Sequence, residues 1–505
     1  MKLISNKITV LLPVLAAILS LTAGCKKGTF DINSVSPNSP SSVSPTFSLS
    51  SALTATSSLM YGGNEDFLNL WMGYWTVSGD FTASPTLIDY QLTTDFGTGN
   101  WESAYINLSN YQLIQTESAT DSSLQYFAGI AQIMKAFVFQ RIVDLYNNIP
   151  YSTALSSSNY TPAYDKGSDV YNSLINQVDS GITAIKAGLA ISGISQNPKG
   201  SDVMFGGDMN EWIKFGNTLK LKLLLRLTET SGGAAKITSG LNGLTTADFL
   251  GAGEDASVNP GYSKASDAKE NPFYLDIAFT SNNNPGTNYK FYRANSYAVN
   301  FYYDNNDPRV NYIYEVKDDS LVHGRVFGAA AGPDDHNSSI SAVNGSGIAK
   351  GPDQDAIIIG AYESLFLQAE AIERGYLSGN VTDVYNSAVA ESFRALSVPD
   401  YASAAATYTS QNSGTANYAK SSNKLQTIIV QKWAACNATD PLESYSDWRR
   451  LKYPSNLPVS VDPGNTAPHI PYRLLYPTSE YSYNNANVSA ESEINYLTSK
   501  IFWMP

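Results

Sequence analysis

Apolar residues recur three or four positions apart in segment after segment of this chain, and only an α-helix gathers such residues on one face. Leu124, Phe127, Ala131, Met134, Val138, Ile142 and Leu145 form one stripe, in a run from Asp121 to Asn147 that Pro150 closes. Ser122 and Gln125 stand at capping-box spacing at its start. A second stripe, from Ser168, carries Tyr171, Leu174, Val178, Ile182 and Ile185. A third, from Asp208, carries Trp212, Phe215, Leu219, Leu223 and Leu227, with Lys214, Lys220, Lys222 and Arg226 on the remainder. Further helices are predicted near 101–117, at about 361–374 and 383–397, split by Gly375 and Gly379, and at Leu425–Ala435. These stripes are read as core. Short helices joined by tight turns predict a mainly α protein, an α-solenoid-like bundle of helix pairs. No repeat of about 34 residues is visible, so the spacing alone does not give tetratricopeptide repeats.

Between about 232 and 360 the periodicity fails. That stretch is rich in Gly, Asn, Asp and Ser, with NNNPG at 282–286 and AAGPDDHNSS at 330–339. Residues 398–423 and 454–500 have the same texture. Loops of this length in a compact chain usually carry function.

The chain has 505 residues, and its charged residues amount to only 15%. Ser, Thr, Asn and Gly must therefore wet much of the surface. A net charge of −13 repels phosphate backbones, which argues against nucleic acid as a partner. The 33 tyrosines outnumber the 19 phenylalanines, and tyrosine suits half-wet binding surfaces. Two cysteines exclude a disulfide framework. With only three histidines, a metal site would be built mainly from carboxylates and carbonyls, favouring Ca²⁺ over Zn²⁺. Asp304-Asn305-Asn306-Asp307 lacks the glycine and terminal glutamate of a calcium loop and is read as a helix-ending turn. No cofactor is expected. There is no GxSxG, HExxH, P-loop or GxGxxG that opens a helix, so no enzyme class has a local signature.

Residues 1–24 read as a signal peptide: Lys2 and Lys7 lead, and Ile8 to Leu21 is an apolar run too short to span a bilayer. Leu21-Thr22-Ala23-Gly24-Cys25 resembles a bacterial lipobox, which makes Cys25 the acylated first residue of the mature chain. Several acyl chains, at ~0.8 kcal/mol per buried CH₂, anchor stably. Residues 26–50, rich in Ser and Pro, read as a tether from Cys25 to a single domain over 51–505, with the loop-rich insertion at about 232–360.

Seven fragments then carry a resemblance. In chain order they are FQRIVDLYNNIPYSTAL (139–155), PAYDKGSDVYNSLINQVDSGI (162–182), GGDMNEWIKFGNTLKLKLLLRL (206–227), NDPRV (306–310), YESLFLQAEAIERGY (362–376), LQTIIVQKWAACNATDPLESYSDWRRLKYP (425–454) and PYRLLYPTSEYSYN (471–484). In order and spacing, behind a lipobox, they resemble the SusD/RagB family of nutrient-binding outer-membrane lipoproteins, in its SusD-like subgroup. The resemblance implies tetratricopeptide-like helix pairs as a scaffold and long irregular loops as the ligand face. It further implies surface exposure on the outer membrane, and binding of oligosaccharides or other large nutrients without catalysis. It also implies delivery to a partner SusC-like, TonB-dependent transporter. One departure is local: Ala434, Ala435, Cys436 and Asn437 stand where the family often has a bulky residue and Gly-x-Glu. Trp448, Arg449 and Arg450 are read as a scaffolding cluster facing Glu370 or Glu373, and Arg473 with Glu480 as an internal pair.

Sugar recognition needs aromatic faces and hydrogen-bonding side chains. The densest aromatic cluster is Trp71, Tyr74, Trp75 and Phe81; the second holds Tyr274, Tyr292 and Arg293. These seven are the candidate ligand-binding residues. A surface glycoside hydrolase and a scaffold without a ligand are the competing readings. Cys25→Ala is expected to abolish acylation and move the protein out of the membrane fraction; a variant that still partitions with lipid would refute the lipobox.

Overall fold

The computed structural model describes residues 44–505, apart from 192 and 194; the signal peptide, Cys25 and residues 26–43 lie outside the described residues. Helices dominate. In chain order they include α1 (Pro45–Tyr61), α2 (Asp66–Trp71), α3 (Thr98–Ser118), α4 (Gln125–Tyr146), α5 (Gly167–Ala190) and α6 (Met209–Leu225). Then come α7 (Pro272–Ile277), α8 (Ser296–Asp304), α9 (Ala361–Glu373), α10 (Val381–Ala395), α11 (Tyr401–Thr409), α12 (Lys424–Ala435) and α13 (Pro441–Leu451). Short strands β1 (Trp75–Val77), β2 (Ala256–Val258), β3 (Tyr292–Ala294) and β4 (Ala356–Ile359) pair as β1 with β3 and β2 with β4, both antiparallel.

The capping residues explain the helix limits. Asp208 accepts from the Asn210 and Glu211 amides at the start of α6, and Asn423 from Gln426 at the start of α12. Before α4 the cap is Asp121, which accepts from the Ser123 amide and opens a 3₁₀ turn at Ser122–Leu124. Gly375, at φ +77°, takes the left-handed turn that ends α9. Asp304 ends α8, as its turn-like sequence suggests.

Neighbours in sequence pack as neighbours in space: α3 on α4, α4 on α5, α5 on α6, and again α9 on α10 and α10 on α11. α1 packs on α3, while α12 returns to α9. The α4–α5 contact is closed by glycine. A Cβ on Gly129 would stand 2.7 Å from the Gly181 carbonyl oxygen, and one on Gly181 2.8 Å from that of Gly129. Two expectations need correction. Residues 45–50, assigned to the tether, form the first turns of α1. The Ser/Thr-rich sequence hides a stripe in which Leu49, Ala52, Leu53, Thr56, Leu59 and Met60 are buried. Within 398–423, α11 is helical because its alanines favour that state.

At the centre the helices are joined by buried ions. Arg141 on α4 pairs with Glu65 and, at 3.3 Å, with Asp440. Lys222 on α6 meets Glu363 at 2.8 Å, Glu443 at 3.0 Å and Asp440 at 3.1 Å. Arg226 pairs with Glu443 and Asp144, and Lys432 with Glu443 and Asp447 at 2.7 and 2.6 Å. Arg450 closes the network on Glu370 and Asp447. Arg449 instead stacks 3.7 Å above the Tyr445 ring and donates to the Asp144 and Tyr472 carbonyls. Glu370 is thus the acid that Arg450 faces, while Glu373 accepts from the Tyr418 hydroxyl. The expected Arg473–Glu480 pair does not form: Arg473 lies over Tyr476, and Glu480 accepts from Tyr164 and Asn484.

Glu363, Asp440 and Glu443 have metal-site spacing, yet the Lys222 ammonium already occupies their centre. Asp440 has a further cation in Arg141, and Glu443 in Arg226 and Lys432, so Glu363, with Lys222 alone among the described residues, is the carboxylate in surplus. Burial, only partly offset by Lys222, pushes Glu363 up to about 7. Glu443 goes the other way: burial opposes its ionisation, but Arg226, Lys222 and Lys432 hold it well below the usual carboxylate range. Cys436 is a buried free thiol, pushed up by burial and by the same acids.

These opposite shifts give opposite mutational signs. Glu443→Ala leaves three buried cations, Lys222, Arg226 and Lys432, short of a partner and is expected to cost about 3–5 kcal/mol near neutral pH. Glu363→Gln removes the surplus carboxylate. A raised native pKa contributes stability that is full below the unfolded value of 4.5 and is lost as pH rises through about 7. The Gln variant should therefore exceed the parent in stability above pH ~7 and lose that advantage below it, as thermal melts across pH would report.

Candidate ligand face

The two aromatic clusters of the sequence meet in space. β1 and β3 pair with Trp75 opposite Ala294, Thr76 opposite Arg293 and Val77 opposite Tyr292. Both strands are buried on both faces. Trp71 packs edge-on against Phe67 and Tyr445, and Tyr74 stacks on Trp433 with ring centres 5.0 Å apart. The Tyr74 hydroxyl is held by the Trp433 carbonyl at 2.6 Å and the Ser444 hydroxyl at 2.7 Å. The Trp75 ring leans on Tyr292 at 5.1 Å. Arg293 donates to the Tyr289 and Tyr292 carbonyls.

Trp71, Tyr74, Trp75, Tyr292 and Arg293 are therefore core, not surface. The physical reason is the pairing itself: bringing β1 against β3 covers the large rings that each segment would expose alone. Of the seven candidates, Tyr274 is half-buried, with its amide donating to Asn271, and Phe81 stands 43% exposed.

Phe81 is the exposed tip of an aromatic ladder. It meets half-buried Phe291 edge-on at 5.5 Å, and Phe291 meets Tyr292 at 5.1 Å. Three loops clasp this tip. The Ser78 amide donates to the Phe291 carbonyl, and the Gly79 amide to the Asp335 carbonyl, both at 2.9 Å. A Cβ at position 79 would fall 2.5 Å from that same Asp335 oxygen, so the approach requires glycine. Arg325 Nη1 donates to the Val77 carbonyl at 2.9 Å. The Asp80 carboxylate accepts from the Asn337 amide at 2.8 Å and meets His336 Nδ1 at 2.6 Å. The Asn337 amide and then His336 hold the Asp80 carboxyl below its ordinary value.

Asp80 and His336 thus stand in solvent next to an open phenyl face. The arrangement supplies one stacking platform, with the Asp80 carboxylate next to it in the chain and the His336 ring hydrogen-bonded to that carboxylate. His336 and buried Arg325, which help to build this candidate face, were not among the sequence candidates; the polar AAGPDDHNSS run that carries His336 was the available signal. Among the described residues no helix is long and apolar enough to cross a membrane.

A family model described as starch-binding and associating with the outer membrane matches residues 37–477. Among solved structures, a SusD homologue from Bacteroides vulgatus is 19% identical with a TM-score of 0.74, covering 90% of this chain and 97% of its own. A chitin-binding SusD homologue from Flavobacterium johnsoniae is 20% identical with a TM-score of 0.73, covering 90% of this chain and 98% of its own. A SusD/RagB family protein from Bacteroides thetaiotaomicron is 21% identical with a TM-score of 0.72, covering 92% and 99%. No curated protein sequence matches.

Trp75→Ala tests the packing role. Emptying a fully buried indole site is expected to cost about 3–5 kcal/mol. The thermal transition should fall accordingly; an unshifted transition would return Trp75 to the surface.

Proposed function

This chain belongs to the SusD-like family, and on that premise we propose that it is a surface-exposed outer-membrane lipoprotein that binds glycans at the Phe81 loop face. It passes them to a partner SusC-like, TonB-dependent transporter. The observation that supports the binding site is Phe81: a large aromatic left open to solvent above half-buried Phe291 and buried Tyr292, in loops cross-linked by hydrogen bonds. Pyranose rings offer a C–H face to such a platform. Their hydroxyls both donate and accept, which suits the Asp80 carboxylate and the His336 ring beside it.

The hydrolase reading is disfavoured by the electrostatics of the same face. A glycosidase needs a carboxylic acid kept protonated to donate to the leaving oxygen. Asp80 is shifted the other way, so it serves as an acceptor. The starch-binding description of the family and the chitin-binding name of one structural relative support a glycan as the ligand class.

Phe81→Ala should weaken binding of maltohexaose or N-acetylchitohexaose while leaving helical content and melting temperature unchanged. Loss of an aromatic platform at a hot spot costs ~2 kcal/mol, roughly 30-fold in affinity. Titration calorimetry measures it. Unchanged affinity in a folded variant would remove Phe81 from the site.

A further inference from the structure

A cavity of about 460 Å³ opens between the end of α1, strands β2 and β4, the start of α7 and the α12–α13 turn. Its inner wall is aromatic: Tyr61, Phe273 and Tyr362, with Tyr61 and Phe273 edge-to-face at 5.8 Å. The tyrosine hydroxyls are already engaged. That of Tyr61 is held by the Ile357 carbonyl at 2.6 Å and the Thr439 carbonyl at 3.0 Å, and that of Tyr362 by Thr439 Oγ1 at 2.8 Å. The wall therefore presents ring faces and edges to the cavity. Ala435 and Ala438 stand at its base, and their small side chains leave the room.

The mouth has a different chemistry. Arg394 lines it but is neutralised by Asp255 and Glu391. What remains is Lys350, whose ammonium donates to the Ala395 carbonyl at 2.7 Å, with Asp353, Gln354 and Asp355. Asp355 accepts from Asn259 at 2.7 Å, and the Asp353 carboxylate accepts no hydrogen bond from the described residues.

We propose that this cavity is a second saccharide-binding site, taking the neutral end of an oligosaccharide and separate from the Phe81 face. The aromatic wall receives the C–H side of a pyranose. Vicinal hydroxyls donate to Asp353 and Asp355 and accept from Lys350, so one diol satisfies both signs at once. An anionic ligand would meet two carboxylates against one free ammonium, and an apolar ligand would strand the charged rim. The volume lies in the range of small-molecule pockets. The choice of probe rests on the glycan reading; the site itself does not.

The test uses the full chain in mild detergent, with maltohexaose, N-acetylchitohexaose and an acidic galacturonate hexamer as probes. Three forms are titrated and soaked as crystals: Phe81→Ala, the exposed rim double variant Asp353→Ala with Asp355→Ala, and all three substitutions together. Phe81→Ala should keep residual binding of a neutral hexamer, with density against Tyr61 and Phe273 and none for galacturonate. Adding the rim substitutions should weaken that residue roughly tenfold or more. Lys350→Ala gives an independent check from the donor side and should weaken it in the same direction. If Phe81→Ala abolishes all binding, the second site is refuted and the loop face stands. If Phe81→Ala changes nothing while the rim variant removes binding, the second site stands and the loop-face reading falls. A folded rim variant with unaltered residual affinity, saccharide density confined to the Phe81 face, or galacturonate bound in the cavity overturns the proposal.

Discussion

Lys222 is the pivot of the scaffold. Its ammonium lies fully buried between Glu363, Asp440 and Glu443, at 2.8, 3.1 and 3.0 Å. Arg141, Arg226, Lys432 and Arg450 extend the same arrangement outward, so that α4, α6, α9, α12 and α13 share one set of charges. Apolar packing alone is non-directional and tolerates small shifts between helices. Ions taken out of water do not, because a lost partner leaves a buried charge uncompensated. The network therefore fixes the helices' mutual register, as the apolar stripes cannot. Glu363, whose one cationic partner among the described residues is Lys222, is the acid of the three around Lys222 that burial pushes up, to about 7.

With register fixed centrally, the loops need little regular structure of their own. β1 with β3 and β2 with β4 are strands of three or four residues. Each joins segments far apart in sequence, and the first brings Trp75 against Tyr292 as it does so. Asp307 and Arg309 repeat the device on a smaller scale. Their ion pair is buried among Tyr302, Phe393 and Tyr408, with Gln431 and Ser392 taking the remaining guanidinium hydrogens. Phe81 can stand open at the end of such a loop because Ser78, Gly79 and Asp80 are all hydrogen-bonded to other segments.

The helices were legible where apolar spacing was strong. The stripes through Leu124–Leu145, Tyr171–Ile185 and Trp212–Leu227 lie in α4 with the 3₁₀ turn before it, in α5, and in α6 with the turn after it. α1 was not legible, because Ser and Thr fill its interior face as well as its exterior: Thr56 and Ser57 are fully buried, hydrogen-bonded to Tyr111 and Tyr262. The candidate site was half legible. Both aromatic clusters stood out as separate aromatic-rich segments; that they meet did not. Their burial could not be read, because it depends on pairing Trp75 with Ala294 across more than two hundred intervening residues. Local pattern carries no information about which ring such a contact will cover. The cluster of Trp448, Arg449 and Arg450 was expected to face Glu370 or Glu373, and Arg450 meets Glu370, whereas Arg473 and Glu480 lie close in the tail sequence without facing one another.

Arginine usage links the interior to the ligand. Every arginine of the chain is buried or half-buried: eight are buried, and Arg374 and Arg394 are 19% and 29% exposed. Guanidinium groups, which bind carboxylate and phosphate in matched pairs, are thus spent on the chain's own acids and ring faces. The exterior keeps lysines, acids and a majority of hydroxyl and amide side chains. Such a surface lacks the forked donors that anionic polymers require, and its net negative charge repels them. What it offers is single acceptors and single donors, with an exposed aromatic ring beside one of them at Asp80 and Phe81. Neutral polyhydroxylated ligands are the class whose groups match that supply, since each hydroxyl both gives and takes a hydrogen bond. The scaffold's demand for buried guanidinium and the chemistry left at the surface are two sides of one allocation of charge.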